Sequence, residues 1–431
     1  MRSGSVFVGS IVACALLAAC GSSSSGSSGS STSSGSSTGP ATTGSSSSGG
    51  STSGTFTIVA VSGDTGPDGS LGAEWNGGLA AGAAYWNAKG GIGGHKVKIV
   101  YLNDNSDPST GVSVLQQYLS THPKPNAVMG GQESAIVAAV FPLLAKDDIL
   151  GFSSSAGGSE APAMTDASKA LPEQFVVGNS TKLSGEALGH FATEGVKGKK
   201  IGILEETAPF FQAEGDSLQA AIKAAGDTST LVQADPTALS LTSQAAQLKA
   251  ANPAEVVVIA AGSTAGYALK GLASVGLSVP EFADVGLSSG PVTSLVPAAD
   301  YKNLKMTTYP DETATNAIVP GTSAQVAPAV ATMTAWLKKT GNTTLTNQPY
   351  SNTGVGWDMI SLLQNAAKQA GSTNQTQLLA ALNNLKVQTG EYVSDARYKY
   401  TANNHENADA TLGDFGLTKA GPVSDGKFEV K

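Results

Sequence analysis

Glu255-Val256-Val257-Val258-Ile259-Ala260-Ala261 is a single carboxylate followed by an unbroken apolar run. A strand with one wet face alternates polar and apolar residues. A strand covered on both faces does not, and parallel sheets flanked by helices need the second kind. Residues 242–251 before this run and 264–275 after it carry helical spacing, so the stretch reads as the central strand of an α/β unit.

The same unit recurs on the N-terminal side. Residues 55–61 form a strand that turns at Ser62-Gly63-Asp64 into a helix over 74–89, with Trp75, Leu79, Ala83 and Trp86 at helical spacing. Strand and helix follow at 96–102 with 109–120, and at 126–130 with 134–145, before a strand at 149–153. After 175–178 a second block runs through 183–196, 200–204, 211–225 and 230–233 to the quoted strand. Two successive blocks predict an α/β fold of two doubly wound lobes. Helices over 325–339, 355–370 and 375–385 come last, which predicts that the chain crosses back to complete the first lobe.

The N-terminus is of a different kind. Arg2 supplies a positive start, residues 6–17 an apolar stretch too short to span a bilayer, and the tetrad Leu17-Ala18-Ala19-Cys20 closes it. It resembles a bacterial lipoprotein signal, with residues 1–19 removed and Cys20 the lipidated first residue of the mature protein. From Gly21 to Gly54 every residue except Pro40 and Ala41 is Gly, Ser or Thr. Such a tract cannot bury enough apolar surface to offset its ordering entropy. Residues 20–54 are thus expected to be a lipidated cysteine and a disordered tether with an end-to-end distance of about 30 Å. The protein is expected to be exported and held at the outer face of the cell membrane, or on its periplasmic side, by the lipid.

Cys14, the other cysteine, lies inside the signal, so the processed body has no thiol for a disulfide, a zinc–thiolate site or a nucleophile. A net charge of −8 with 13% charged residues and no Lys/Arg cluster argues against nucleic acid as a partner. The region from Thr55 to Lys431 is too long for one core of ordinary size.

Three segments carry a family resemblance: Asn87-Ala88-Lys89-Gly90-Gly91-Ile92-Gly93-Gly94-His95-Lys96, Asp104-Asn105-Ser106-Asp107-Pro108, and Leu248-Lys249-Ala250-Ala251-Asn252-Pro253 with its hydrophobic strand. The chain resembles the leucine/isoleucine/valine-binding class of periplasmic solute receptors (type I periplasmic binding proteins) over essentially Thr55 to Lys431. That resemblance implies an ABC permease/ATPase complex as partner, a monomer, no cofactor, and a ligand among amino acids, amides, urea-like compounds and aromatic acids. It also implies three crossovers near Val177, Thr308 and Thr389, giving one lobe of residues 55–177 plus 309–388 and another of 178–308 plus 389–431. Locally, Gly90-Gly91 suits a helix C-terminus and Asp107-Pro108 a turn that starts a helix.

Ligands of open α/β lobes bind beyond the carboxyl ends of strands and beside helix N-termini. In the first lobe this selects the loops 62–71, ending at Leu71, 130–134 and 153–158. Ser134 resembles the family serine that hydrogen-bonds the ligand, or is a simple N-cap. Ser155, Ala156 and Gly157 fall where the family holds a ligand carboxylate with backbone amides and a threonine hydroxyl; Gly157 keeps the amide and loses the hydroxyl. In the second lobe Phe210 or Phe211 falls where the family has an aromatic facing the ligand. Gly262 and Ser263 replace an aromatic wall of the amino-acid binders. Val285 stands where those binders place the glutamate that pairs the ligand ammonium. Asp284 precedes it, and substitutes only if the strand end is shifted or irregular, since adjacent strand residues face opposite sides. This departure implies a small polar or aromatic ligand other than a standard branched-chain amino acid. Ser106 and Glu133 occupy the two positions of a disulfide found in some relatives.

Two other readings compete. One is an extracytoplasmic sensor that presents its ligand to a membrane receptor. The other is a serine hydrolase: Gly286-Leu287-Ser288-Ser289-Gly290 fits G-x-S-x-G, and with Asp300 or Asp311 and then His405 the order Ser, Asp, His can be written. Pro291 and the Ser/Gly-rich composition speak for a chance match. His95, His122 and His190 are scattered without metal spacing. Asn103-Asp104-Asn105-Ser106-Asp107 begins like a calcium loop, but Pro108 stands where glycine is needed and Val114 where the bidentate glutamate belongs.

Overall fold

The computed structural model describes residues 54–66, 68–130, 133–154, 171–178, 180–195, 197–288, 292, 295–297, 302–310, 322–419 and 423–428. The signal, Cys20 and the Ser/Gly tract up to residue 53 lie outside these residues.

Strands β1 (Thr55–Ser62), β2 (Lys96–Asn103), β3 (Ala127–Met129), β4 (Gly151–Ser153) and β5 (Gln174–Val176) build one sheet in the order β2-β1-β3-β4-β5. All of its pairs are parallel. Helices α1 (Gly69–Ala88), α2 (Pro108–Thr121) and α3 (Ser134–Lys146) make the crossovers. A second sheet contains β6 (Lys200–Glu206), β7 (Thr228–Ala234), β8 (Glu255–Ile259), β9 (Glu281–Ala283), β10 (Leu304–Thr308) and β11 (Gly416–Lys419), in the order β11-β10-β9-β8-β6-β7. Only β11 runs antiparallel, against β10. Its helices are α4 (Thr181–Ala192), α5 (Pro209–Ala224), α6 (Thr242–Ala250) and α7 (Gly262–Ser274).

The quoted apolar run is β8, central in this sheet, and it is buried on both faces as its lack of alternation requires. Val256 and Val258 pack with Leu248 and Leu269 of α6 and α7, whereas Val257 and Ile259 pack with Leu188 and Leu218 of α4 and α5. β1 divides in the same way. Ile58 and Ala60 join Trp75 and Leu79, and Val59 and Val61 join Leu115 and Ile136.

The three last helices, α8 (Thr322–Lys339), α9 (Ser351–Ala370) and α10 (Gln375–Leu382), return to the first sheet. α9 lies directly on α1. Gly78 and Gly356 permit the approach: a Cβ on Gly78 would sit 2.0 Å from the Thr353 carbonyl oxygen, and one on Gly356 2.4 Å from that of Trp75. Trp75 and Trp357 are fully buried at this contact.

Strand β5 of the first sheet ends at Val176 and β10 of the second at Thr308. The third crossing comes later than Thr389. Tyr392, Val393, Tyr398 and Tyr400 belong to the first core, the Val176 amide donates to the His405 carbonyl (2.9 Å), and the chain joins the second sheet only at β11. Gly390, with φ +70°, makes a break that resembles a crossover in sequence, but the aromatic residues behind it need apolar cover and find it on α9.

Candidate ligand-binding cleft

Both sheets switch direction beside a central strand. β1 lies between β2 and β3, and β6 between β7 and β8, so the crossovers diverge there and leave a crevice at the strands' carboxyl ends. The two crevices share one cleft of about 360 Å³. Its first wall holds Asp68 and Leu71 at the start of α1, Ser106 after β2, and Glu133 and Ser134 at the start of α3. The second wall holds Glu206 at the end of β6, Pro209, Phe210 and Phe211 opening α5, and Asp284, Val285 and Gly286 after β9. Ser351, Asn352 and Val355 near the start of α9 line the cleft as well, together with Tyr309.

Of the residues singled out in the sequence, Leu71, Ser134, Phe210, Phe211 and Asp284 meet in this cleft. Ser134 is the first residue of α3, and Glu133 rather than Ser134 takes the N-cap position. Both phenylalanines are present: they form an edge-to-face pair with centroids 5.2 Å apart, and Phe211 is also part of the second core. Asp284 reaches the wall because β9 stops at Ala283 and the chain enters a short 3₁₀ turn, Val285–Ser288. Its Oδ2 accepts the Gly286 amide at 3.1 Å. The irregular strand end thus exposes Asp284 and Val285 to the same cleft. Gly262 and Ser263 are not on the wall; Ala261 takes that place. Gly262 instead turns the chain into α7 with φ +54°, and a Cβ there would lie 3.8 Å from Asp68 Oδ1, where the two walls approach. Ser155, Ala156 and Gly157 lie outside the described residues.

The hydrolase arrangement does not form around His405. That ring is buried against Phe175 of the first sheet, with centroids 4.4 Å apart, and its Nδ1 is 2.8 Å from the Gln174 carbonyl. Ser288 follows β9 of the other sheet, and Asp300 and Asp311 lie outside the described residues.

Sequence reasoning missed the acidity of the cleft. Asp68, Glu133, Glu206 and Asp284 line it, and no Lys, Arg or His does so among the described residues. Burial pushes the Asp68 carboxyl up. Burial, helped by Asp68 and Asp104, takes Glu133 to about 8. Burial and Asp68 take Glu206 to about 7, and burial takes Asp284 to about 7 against its backbone donors. Behind Asp284, burial and the Asp284 charge raise Glu214 well above its ordinary range, while Ser184 Oγ donates to its Oε1 at 2.7 Å. One signal was available: Glu205-Glu206 ends a buried strand whose carboxyl end must face the crevice. The pair expected only as a lost disulfide, Ser106 and Glu133, lines the cleft too.

Known proteins show the same architecture. The sequence profile described as "Periplasmic binding protein" matches residues 55–412. A Leu/Ile/Val-binding protein homolog 2 from Brucella abortus is 26% identical over 169 residues, which cover 39% of this chain and 44% of that protein; the match therefore spans less than half of the curated relative's length. An extracellular ligand-binding receptor from Rhodopseudomonas palustris superposes with a TM-score of 0.72 at 19% identity, over 88% of this chain and 99% of the other. The branched-chain amino acid transporter substrate binding protein LivJ from Streptococcus pneumoniae, in complex with isoleucine, gives a TM-score of 0.68 at 17% identity, over 85% and 100%.

Proposed function

Because this chain belongs to the periplasmic binding protein family, we propose that it is an extracytoplasmic solute receptor that captures a small ligand between its two lobes and delivers it to an ABC importer. One observation carries this reading: a single cleft is walled by the switch points of both sheets, with helix starts and polar side chains along it. A ligand touching both walls favours the closed arrangement by its differential affinity, and closure gives a permease a shape to recognise. The likeness to LivJ, a branched-chain amino acid transporter substrate binding protein, supports delivery to an importer.

The test is closure. Mass spectrometry of the small molecule that copurifies identifies the ligand, and small-angle scattering is then recorded with and without it at saturation. A smaller radius of gyration with ligand is expected; superimposable profiles would remove the receptor reading.

Membrane attachment is proposed through a lipid on Cys20. No helix among the described residues is long and apolar enough to cross a membrane. Cys20→Ala is expected to move the protein from the membrane pellet to the soluble fraction, and retention in the pellet would contradict lipid anchoring.

A further inference from the structure

We propose that the cleft is built for an organic cation with a donor group at each end, of the diamine or guanidinoalkylamine class, and not for a zwitterion or a carboxylate. This rests on the reading of the cleft as a solute site.

Three observations converge. First, each wall carries a buried acceptor with no hydrogen-bond partner: Glu133 Oε1 on the first and Asp284 Oδ1 on the second. Asp284 is 1% exposed. Buried acceptors left unfilled are costly, and a ligand that supplies donors on both sides relieves that cost. Ammonium and guanidinium groups carry only donors and are the chemical complement of such a pair.

Second, the charge of the cleft has one sign. The charged groups set against Asp284 are Glu206 and Glu214, and those set against Glu133 are Asp68, Asp104 and Glu206. A ligand carboxylate near these walls would add to the repulsion, whereas a cation turns it into attraction.

Third, the cleft also suits an organic body. Among the described residues no group of three His, Cys, Asp or Glu is placed to hold a metal ion. Leu71, Pro209, Phe210, Phe211 and Val355 line the same cleft as the carboxyls. A short hydrocarbon linker finds apolar cover among them, and aromatic rings attract cations.

The test is calorimetry on the full chain with 1,4-diaminobutane, 1,5-diaminopentane and agmatine, against leucine and benzoate. At least one of the three cations is expected to bind about 10-fold or more tightly than either comparison compound. Asp284→Asn and Glu133→Gln should each weaken that cation by about 10-fold or more while leaving cooperative thermal unfolding intact. Ionisation of the carboxyls on pairing should also release protons at pH 7, read as a dependence of the binding heat on buffer, and affinity should rise from pH 5.5 to pH 8. Tighter binding of leucine or benzoate would overturn the cation inference and leave the receptor reading standing. Absence of binding of all three cations at 1 mM by folded protein would overturn it as well, as would cation affinity unchanged in both variants.

Discussion

Asp358→Ala is expected to cost about 3–5 kcal/mol of folding stability. Asp358 is fully buried on α9. It accepts the Val393 amide at 2.8 Å, the Ser394 amide at 3.0 Å and the Tyr398 hydroxyl at 2.9 Å. One side chain thus ties the late segment 391–400 to the helix that covers α1. Burial pushes its carboxyl up to about 8 against the pull of those three donors. Alanine leaves two backbone N–H groups and a hydroxyl without acceptors in a dry core, each at about 1–3 kcal/mol, partly relieved because a buried carboxyl disappears. Urea unfolding monitored by tryptophan fluorescence measures the loss; a midpoint equal to that of the parent protein would show that segment 391–400 is held by its aromatic packing instead.

Raising the pH from 5.5 to 8 is expected to destabilise the ligand-free protein by about 2–6 kcal/mol. Glu206, Asp284 and Asp395 are each less than a tenth exposed, and burial takes each to about 7. Their folded values lie above those of unfolded carboxyls, about 4. Between the two values the folded state binds more protons than the unfolded chain, so stability is full below about 4, falls steadily as pH rises towards 7 and levels off above it. A single group with a folded value near 7 loses about 2 kcal/mol between pH 5.5 and 8, and three of them set the upper bound. Thermal unfolding across the window reads the effect; a midpoint that climbs with pH would show that these carboxyls are ionised in the folded state.

Much of the fold was legible because strands buried on both faces have no polar alternation. β8 and β1 announce themselves in this way, and the doubled strand–helix pattern gives both sheets. β10 and β11 escaped notice. β11 is a short edge strand that pairs with β10 on one side only, so its residues need little apolar patterning. The third crossing was misplaced because a glycine break at 390 looks like an exit, while the Tyr392–Tyr400 packing that overrides it depends on partners distant in sequence. In the site, positions set by strand ends and helix starts were readable: Leu71, Ser134, Phe210, Phe211 and Asp284. The acidity was not. Asp68, Glu133, Glu206 and Asp284 come from four separate strand ends and helix starts, and only the juxtaposition of two sheets makes them one electrostatic unit.

The late return of the chain to its first sheet governs the order in which an exported polypeptide can fold. Tyr85 and Glu391, joined by a hydrogen bond, are 306 positions apart. As a chain threads out N-terminus first, β1 and α1 emerge early but must wait, with their apolar faces uncovered, until α9 and the tyrosine segment follow. Residues 200–308, by contrast, contain every strand of the second sheet except β11. The half of the molecule that emerges second therefore has most of its core to hand first, and the early half spends the interval with apolar surface uncovered.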